Sequence, residues 1–304
     1  MKKHCYLTVG PSGCGKSTWA QDFANKYPGT FVTERDNIRY SMITDLFPGK
    51  EVTAELMQSV FYSKNGKEDD VTTIQRQEII QAVGMDEVNA IIVSDTNLNA
   101  NGRSELRSFI ESLDVEVSYI TFDDIFFDQC IENNNTRTGW KKVPERVIRQ
   151  QYVRFREEFP LKYRNFLNRP DAYVFDIDGT VAKMCDRSPY DWHKVGEDEP
   201  HNDVLNLASD LYHSDNKIIF LSGRDGVCYP ETREWLNKHF SNYHLLIMRP
   251  VGNNMKDSVI KHDMFHQQIA RHYNVKGVFD DRNQVVNIWR KMGLRCYQVS
   301  EGDF

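Results

Sequence analysis

Short apolar runs alternate with stretches of helical periodicity along the chain, and the alternation occurs twice. In the first series, strand-like runs fall at Cys5–Val9, Phe31-Val32, Ile91–Val93 and Val115–Thr121, with helix-like segments between them, the first starting near Lys16. Apolar strands separated by helices predict a parallel sheet with crossover helices. An amphipathic stretch from Pro144 to about Phe159 closes the series, with Pro at the first helical position and apolar Val147, Ile148, Tyr152 and Phe155. The polar, basic segment from Pro160 to Pro170 reads as a linker. The second series has strand-like runs at Ala172–Phe175, Ile218–Leu221, Leu245–Met248, Gly277–Phe279 and Cys296–Val299. Helical patterns cover about 203–213, 230–240, 257–272 and 283–291. The predicted fold class is α/β, in two domains, 1–160 and 161–304, each a mainly parallel sheet flanked by helices. Region 47–70, with Pro48, Gly49, Gly66 and mixed charge, is the least regular and is expected to be a mobile excursion near the first site.

Composition sets the broad class. With 304 residues, 40% hydrophobic and 27% charged, the chain has room for two ordinary domains, each with its own core. No apolar stretch approaches the ~20 residues needed to span a bilayer, so no membrane partner is expected. The N-terminal Met1-Lys2-Lys3-His4 runs into a strand without the apolar region of a signal peptide, which predicts a cytoplasmic location. Six scattered cysteines with no Cys-x-x-Cys pair fit reduced thiols better than a disulfide framework or a zinc site. The net charge of −6 does not favour bulk electrostatic binding to nucleic acid. Between 141 and 170, however, nine Lys/Arg stand against three acids, either a solvated helix with a linker or a phosphate-backbone surface.

Chemistry concentrates where apolar runs end. Gly10-Pro-Ser-Gly13-Cys14-Gly15-Lys16-Ser17 follows the first strand and opens a helix. Glycines permit the turns that point successive N–H groups at a phosphate; Lys16 would neutralise β- and γ-phosphates, and Ser17 would help hold Mg²⁺. The positive end of the following helix adds to this. After the second run, Asp36 could take the proton of an attacking hydroxyl, and Arg39, on the same helical face, could grip an acceptor phosphate. The plainer reading is an exposed helix start with Asp as a cap. Ser94-Asp95-Thr96-Asn97 closes the third run, and Arg137, before Lys141-Lys142, could stabilise charge on a transferring phosphoryl group from a lid. Together these outline a kinase site.

The second series carries different chemistry. Asp176 and Asp178 end the run Tyr173-Val174-Phe175, and a spacing of two puts both on one side of the strand end. The first can attack phosphorus in line; the second can protonate the leaving oxygen and later activate water. Ser222-Gly223-Arg224 can hold the other phosphate oxygens, Lys261 can supply a fixed positive charge, and Asp280-Asp281 suit Mg²⁺.

In this order the motifs resemble the bacteriophage polynucleotide 5′-kinase/3′-phosphatase family, over essentially the whole chain. The segments that carry the resemblance are 13–19, Ser94-Asp-Thr-Asn-Leu-Asn99, 176–184, 187–191, 222–224, 280–286 and 301–304. It implies a P-loop kinase fold followed by a phosphatase of the haloacid dehalogenase superfamily. The implied activities are transfer of the γ-phosphate of ATP to 5′-OH ends of RNA or DNA, and removal of 3′-phosphate or 2′,3′-cyclic ends, Mg²⁺ assisting. Broken ends are thereby prepared for a ligase, and the family implies a homotetramer. The ATP site falls on Gly10, Gly13, Cys14, Gly15, Lys16, Ser17, Thr18 and Arg137, the general base on Asp36, and acceptor contacts on Arg39, Asp95 and Thr96. The phosphatase groups fall on Asp176, Asp178, Arg187, Ser222, Arg224, Asp257 and Lys261, with Ser17 as metal ligand in the first site and Asp176, Asp178, Asp280 and Asp281 in the second. In the family's lid Arg directly precedes Gly, whereas here Thr138 takes that place and Arg137 lies one residue earlier. A second family lid Arg falls near Asn134.

Two further readings stay open from the residues alone: a kinase/phosphatase of a small sugar or alcohol phosphate, and a nucleotide-regulated binding module with disused sites. Retention of Lys16, Asp36, Asp176 and Asp178 together argues against the second. Cys14 is either a thiol whose pKa is lowered by the loop's N–H groups and Lys16, or a small packing residue pointing away.

Overall fold

The computed structural model describes residues 2–165, 168–185, 187–188 and 191–302. Phe166 and Leu167 of the expected linker, Pro189 and Tyr190 of the 187–191 segment, and Asp303-Phe304 of the terminal segment lie outside the described residues. The chain folds as two compact units, 1–159 and 160–304.

The first unit runs β1 (His4–Val9), α1 (Lys16–Lys26), β2 (Thr30–Thr33), α2 (Arg35–Leu46), α3 (Ala54–Phe61), α4 (Glu68–Gly84), β3 (Ala90–Val93), α5 (Ala100–Glu111), β4 (Glu116–Thr121), α6 (Phe127–Asn135) and α7 (Glu145–Glu158). Its sheet has the order β2-β3-β1-β4, all parallel. Cys5, Leu7, Ile91 and Val93 are fully buried against α4 and α5 through Ile79, Ala82 and Ile110, because a parallel sheet covered by helices needs apolar residues on both faces. Pro144 stands just outside α7, as its N-cap residue, rather than at the first helical position. The 47–70 region is more regular than its composition indicates. Thr53 caps α3 by accepting from Leu56 N at 3.2 Å, and Met57 and Phe61 bury against Ile38, Ile43 and Val71.

The second unit runs β5 (Asp171–Phe175), β6 (Ala182–Lys183), β7 (Glu199–Pro200), α8 (Asn202–His213), β8 (Lys217–Asp225), α9 (Tyr229–His239), β9 (Leu245–Arg249), α10 (Asp257–Gln268), β10 (Asn274–Arg282), α11 (Asn283–Lys291) and β11 (Cys296–Gly302). The parallel sheet has the order β11-β10-β5-β8-β9, and β6 and β7 form a small antiparallel pair beyond β5. Phe175 stacks on Phe279 at 4.4 Å between ring centroids in the core. Segment 160–165 is a strap on this unit rather than a free linker. Leu161 N donates to His262 Nε2 at 3.1 Å and Tyr163 N to Met292 O at 2.9 Å, while Val275 N donates to the Tyr163 hydroxyl at 2.8 Å. The basic stretch is likewise partly structural. Arg156 is fully buried and donates to the carbonyls of Asp123 and Ile125, and Arg169 to that of Ala270.

Candidate active sites

At the carboxyl end of β1 the chain turns through 10–15 into α1. Gly13 holds φ +83° and lies so close to the Cys130 carbonyl that a Cβ would collide with it, so only glycine fits. The loop is braced from several sides. Gly10 N donates to Thr96 O at 3.1 Å, Ser12 N to Gln151 Oε1 at 2.8 Å, and Asn133 Nδ2 to Gly13 O at 2.8 Å. Lys16 folds back so that Nζ donates to Pro11 O at 2.6 Å, while Ser17 and Thr18 are exposed on the first turn of α1. Cys14 is buried, with Sγ 3.6 Å from Lys16 Nζ. Burial pushes its thiol pKa up, and Lys16 only partly opposes this. Of the two readings of Cys14, burial therefore favours the small packing residue: desolvation of the thiolate outweighs the nearby ammonium.

Asp36 and Arg39 share one face of α2. Arg39 is buried, its Nη1 donating to Asp36 Oδ1 at 2.6 Å and its Nε to Glu68 Oε2 at 3.0 Å. Burial alone would lower the guanidinium pKa, but Glu68 and Asp36 raise it beyond its ordinary value. Glu68, at the start of α4, was not singled out from the sequence, because no local pattern ties it to an arginine 29 residues away. Asp95 is a structural tie rather than a free acceptor-binding group. It accepts from Arg35 N at 3.0 Å and from Gln75 Nε2 at 2.7 Å, so a residue at the end of β3 caps α2. Burial raises its pKa, against the opposing bond from Gln75. Thr96 contributes its carbonyl to Gly10 N, as above. Arg137 follows α6, half-exposed, its N donating to Asn134 O at 3.1 Å. Asn134, where the second lid arginine was expected, pairs both amide atoms with the main chain of Val143 at 2.8 and 2.9 Å and closes the 136–143 loop.

The second site gathers at the carboxyl ends of β5, β8 and β10 and the start of α10. Asp176 is buried, 2.9 Å from Lys261 Nζ, which also lies 3.2 Å from Asp280 and 3.7 Å from Asp257. Carboxylate oxygens of Asp176, Asp280 and Asp281 lie within 4.8 Å of one another. Gly179, with φ +76°, passes so close to Asp281 that a Cβ would strike its carboxylate. Burial pushes Asp176 well up, Lys261 opposing, and burial together with Asp280 pushes Asp281 up to about 6. Burial works to raise Asp257 as well, but Lys261, Arg282 and Arg249 outweigh it and hold this carboxyl below its ordinary value. Lys261 is held well above its ordinary value by Asp176, Asp280 and Asp257, in spite of burial. Ser222 is buried, and its Oγ accepts from Arg224 N at 3.2 Å.

Asp178 is held by two arginines. It accepts from Arg224 Nε at 2.9 Å, Arg224 Nη2 at 2.7 Å and Arg187 Nη2 at 2.9 Å. Of the four expected metal residues of this site, Asp176, Asp280 and Asp281 bring carboxylate oxygens together, whereas both carboxylate oxygens of Asp178 are held by two guanidiniums. Behind the arginines sits Asp198, a residue the sequence reading missed. It accepts from Arg187 Nε and Nη2, both at 2.7 Å, and from Arg224 Nη2 at 2.6 Å. Within the acidic run 197–199, nothing local distinguishes Asp198 from its neighbours. Arg249 and Arg282, also missed, donate to Asp257 at 3.0 and 3.1 Å. Asp176, Asp178, Arg224, Asp257 and Lys261, with Arg249 and Arg282, line a cavity of about 520 Å³, walled also by Met184 and Trp192.

A phosphate-cradling loop on one parallel sheet and an aspartate pair on another define a two-domain α/β protein with P-loop kinase-like and haloacid-dehalogenase-like halves. Residues 6–160 match the AAA domain family, and residues 170–304 match the family described as the polynucleotide kinase PNKP phosphatase domain. The chain belongs to the AAA domain family through its first half, and its second half is similar to the polynucleotide kinase phosphatase domain. A putative bifunctional polynucleotide kinase/RNA ligase of Autographa californica nuclear polyhedrosis virus is 30% identical over 308 residues, covering 96% of this chain. The chain spans 42% of that relative's length. A chain of the Pnkp1/Rnl/Hen1 RNA repair complex is 26% identical, with TM-score 0.46, over 100% of this chain and 97% of that one. The D,D-heptose 1,7-bisphosphate phosphatase of B. bronchiseptica is 14% identical, with TM-score 0.33, over 42% of this chain and 79% of that one.

Proposed function

We propose that the chain heals nucleic-acid ends, phosphorylating 5′-hydroxyls with ATP and removing 3′-phosphates, including 2′,3′-cyclic ends. The observation that carries the proposal is the pairing, in one chain, of the Lys16 loop with a polynucleotide kinase phosphatase domain bearing Asp176 and Asp178. That family assignment also weighs against a small sugar phosphate as substrate.

In the first site Lys16, Ser17 and the α1 N-terminus hold the phosphates of ATP. Asp36 accepts the proton of the attacking 5′-hydroxyl, Arg39 anchors the acceptor's phosphate, and Arg137 meets the transferring group. In the second site Asp176 attacks phosphorus: its O–P bond forms as the bond to the 3′-oxygen breaks, and Asp178 delivers a proton to that oxygen. Asp178 then takes a proton from the water that hydrolyses the aspartyl-phosphate. Phosphate oxygens arriving at Arg187 and Arg224 compete with Asp178 for the guanidiniums and release it to take up from solvent the proton it then delivers. Lys261 fixes Asp176 for in-line attack, and the Ser222 hydroxyl donates to a phosphate oxygen.

Three buried carboxylates facing one ammonium offer the hard oxygen donors that Mg²⁺ prefers, so Asp176, Asp280 and Asp281 fit it. When bound, the ion supplies positive charge to the phosphate and to the carboxylates that hold it. RNA or DNA ends, a ligase acting downstream and a homotetrameric assembly complete the proposal. All six cysteines are free thiols, which supports a reducing, cytoplasmic setting. Among the described residues no helix is long and apolar enough to cross a membrane. The test is end-labelling of a 5′-OH oligonucleotide from γ-labelled ATP, alongside phosphate release from a 3′-phosphate oligonucleotide. Turnover of both supports the reading. Turnover of small phosphorylated alcohols with neither oligonucleotide used would refute it.

A further inference from the structure

Tyr40 and Trp140 stack with ring centroids 5.6 Å apart and 20° between their planes. Tyr40 lies on α2, four residues after Asp36 and next to Arg39, so it shares the face of Asp36 about 6 Å further along the helix. Trp140 belongs to the short 3-10 turn Gly139–Lys141, in the loop that carries Arg137. The indole packs against the cluster of Ile38, Met57 and Phe61, and the Tyr40 side chain remains 45% exposed. Positive charge flanks the stack at Lys141, whose Nζ is 5.5 Å from the indole centroid, and Arg39 precedes Tyr40 on α2.

We propose that the exposed Tyr40 ring, braced by Trp140, is the stacking platform for the 5′-terminal nucleobase of the acceptor strand; this rests on the kinase reading above. Every base presents a π-face, so such a platform accepts any 5′-terminal base while rejecting an acceptor that lacks one. Arg39 and Lys141 suit the backbone charge that accompanies the base. The same ring pair joins the acceptor site to the lid loop, because Trp140 lies in the 136–143 segment that Asn134 closes onto Val143. A bound base therefore steadies the loop from which Arg137 acts.

The test compares two fluorescently labelled single strands with 5′-OH ends, identical except that one has an abasic sugar at its 5′ terminus. Affinity is read by anisotropy without ATP. The wild-type protein should bind the abasic strand about 10-fold more weakly. Tyr40→Ala should bind both strands equally, at the abasic level, and Tyr40→Phe, which keeps the ring, should match the wild type. Unchanged ATP affinity in Tyr40→Ala shows that the unit is folded. Equal wild-type affinity for the two strands, failure to bind either, or undiminished discrimination in Tyr40→Ala overturns the proposal. Transfer of phosphate to a 5′-OH strand by the wild type tests the kinase reading separately, so the two failures are distinguishable.

Discussion

Asp198→Asn removes the charge on which two arginines converge. In the native cluster two carboxylates, Asp178 and Asp198, balance two guanidiniums, Arg187 and Arg224, whose side chains are 3% and 0% exposed. The Asp198 side chain is 1% exposed and accepts three donors at 2.6–2.7 Å. Guanidiniums cannot shed their protons, so the substitution leaves the cluster with one excess positive charge out of contact with bulk water. Breaking a buried ion pair costs about 3–5 kcal/mol. The amide keeps one acceptor oxygen, which puts the expected loss near the lower bound, about 3 kcal/mol. At roughly 2–4 °C per kcal/mol for a unit of this size, the transition of the second unit should fall by about 6–12 °C. Calorimetry measures that shift, and 3′-phosphate release at 20 °C reads the chemistry. Asp178 depends on the same arginines, so phosphatase kcat should fall by more than ~10-fold, about 1.4 kcal/mol of barrier. A wild-type transition temperature with wild-type turnover would show that Arg187 and Arg224 hold their places without Asp198, and the argument would be wrong.

Further outcomes follow for the first unit. Asp95 has its folded pKa raised by burial, so the stability it contributes is full below the ordinary carboxylate range and is lost as pH rises through the raised value. Asp95→Asn should therefore gain on the wild type as pH rises above the ordinary carboxylate range in denaturant titrations; a difference that stays constant with pH would remove the cause assigned here. Arg137→Lys should lower the kinase rate ~10²-fold, because an ammonium cannot reproduce the fork of a guanidinium at a phosphoryl group. Near-normal rates in Arg137→Ala would move the lid role elsewhere. Cys185 is the exposed thiol, and Cys14 is buried with a raised pKa. Limited N-ethylmaleimide should therefore label Cys185 first, by peptide mass mapping, and leave the kinase active; early loss of kinase activity with label on Cys14 would contradict the burial argument.

What was legible in the sequence is what is encoded locally. The strand runs, the turn glycines of the 10–15 loop and the Asp176/Asp178 spacing each reside in a few adjacent residues, although β8 and β10 extend beyond the runs that announced them and the short β6 and β7 had no such signal. What was not legible depends on partners distant in sequence. Glu68 gains meaning only when α4 brings it to Arg39, Asp198 only when it reaches Arg187 and Arg224, and Asn134 only by closing on Val143. Asp95 looked like a ligand residue because it ends a strand, yet the start of α2 and Gln75 occupy its carboxyl group. Region 47–70 misled through its glycines and proline, which punctuate helices instead of preventing them: α3 lies between Gly49 and Gly66 and buries Met57 and Phe61. Cys14 left two readings open because its neighbour Lys16 is visible in the sequence and its burial is not.

The most direct test uses one oligonucleotide bearing both a 5′-hydroxyl and a 3′-phosphate, incubated with Mg²⁺ and γ-labelled ATP, with both ends mapped. The wild type should convert both ends, Lys16→Ala only the 3′ end, and Asp176→Asn only the 5′ end. Loss of both conversions in a folded Asp176→Asn protein, or a wild type that alters neither end, would contradict the account of two independent phosphoryl-transfer sites in one chain.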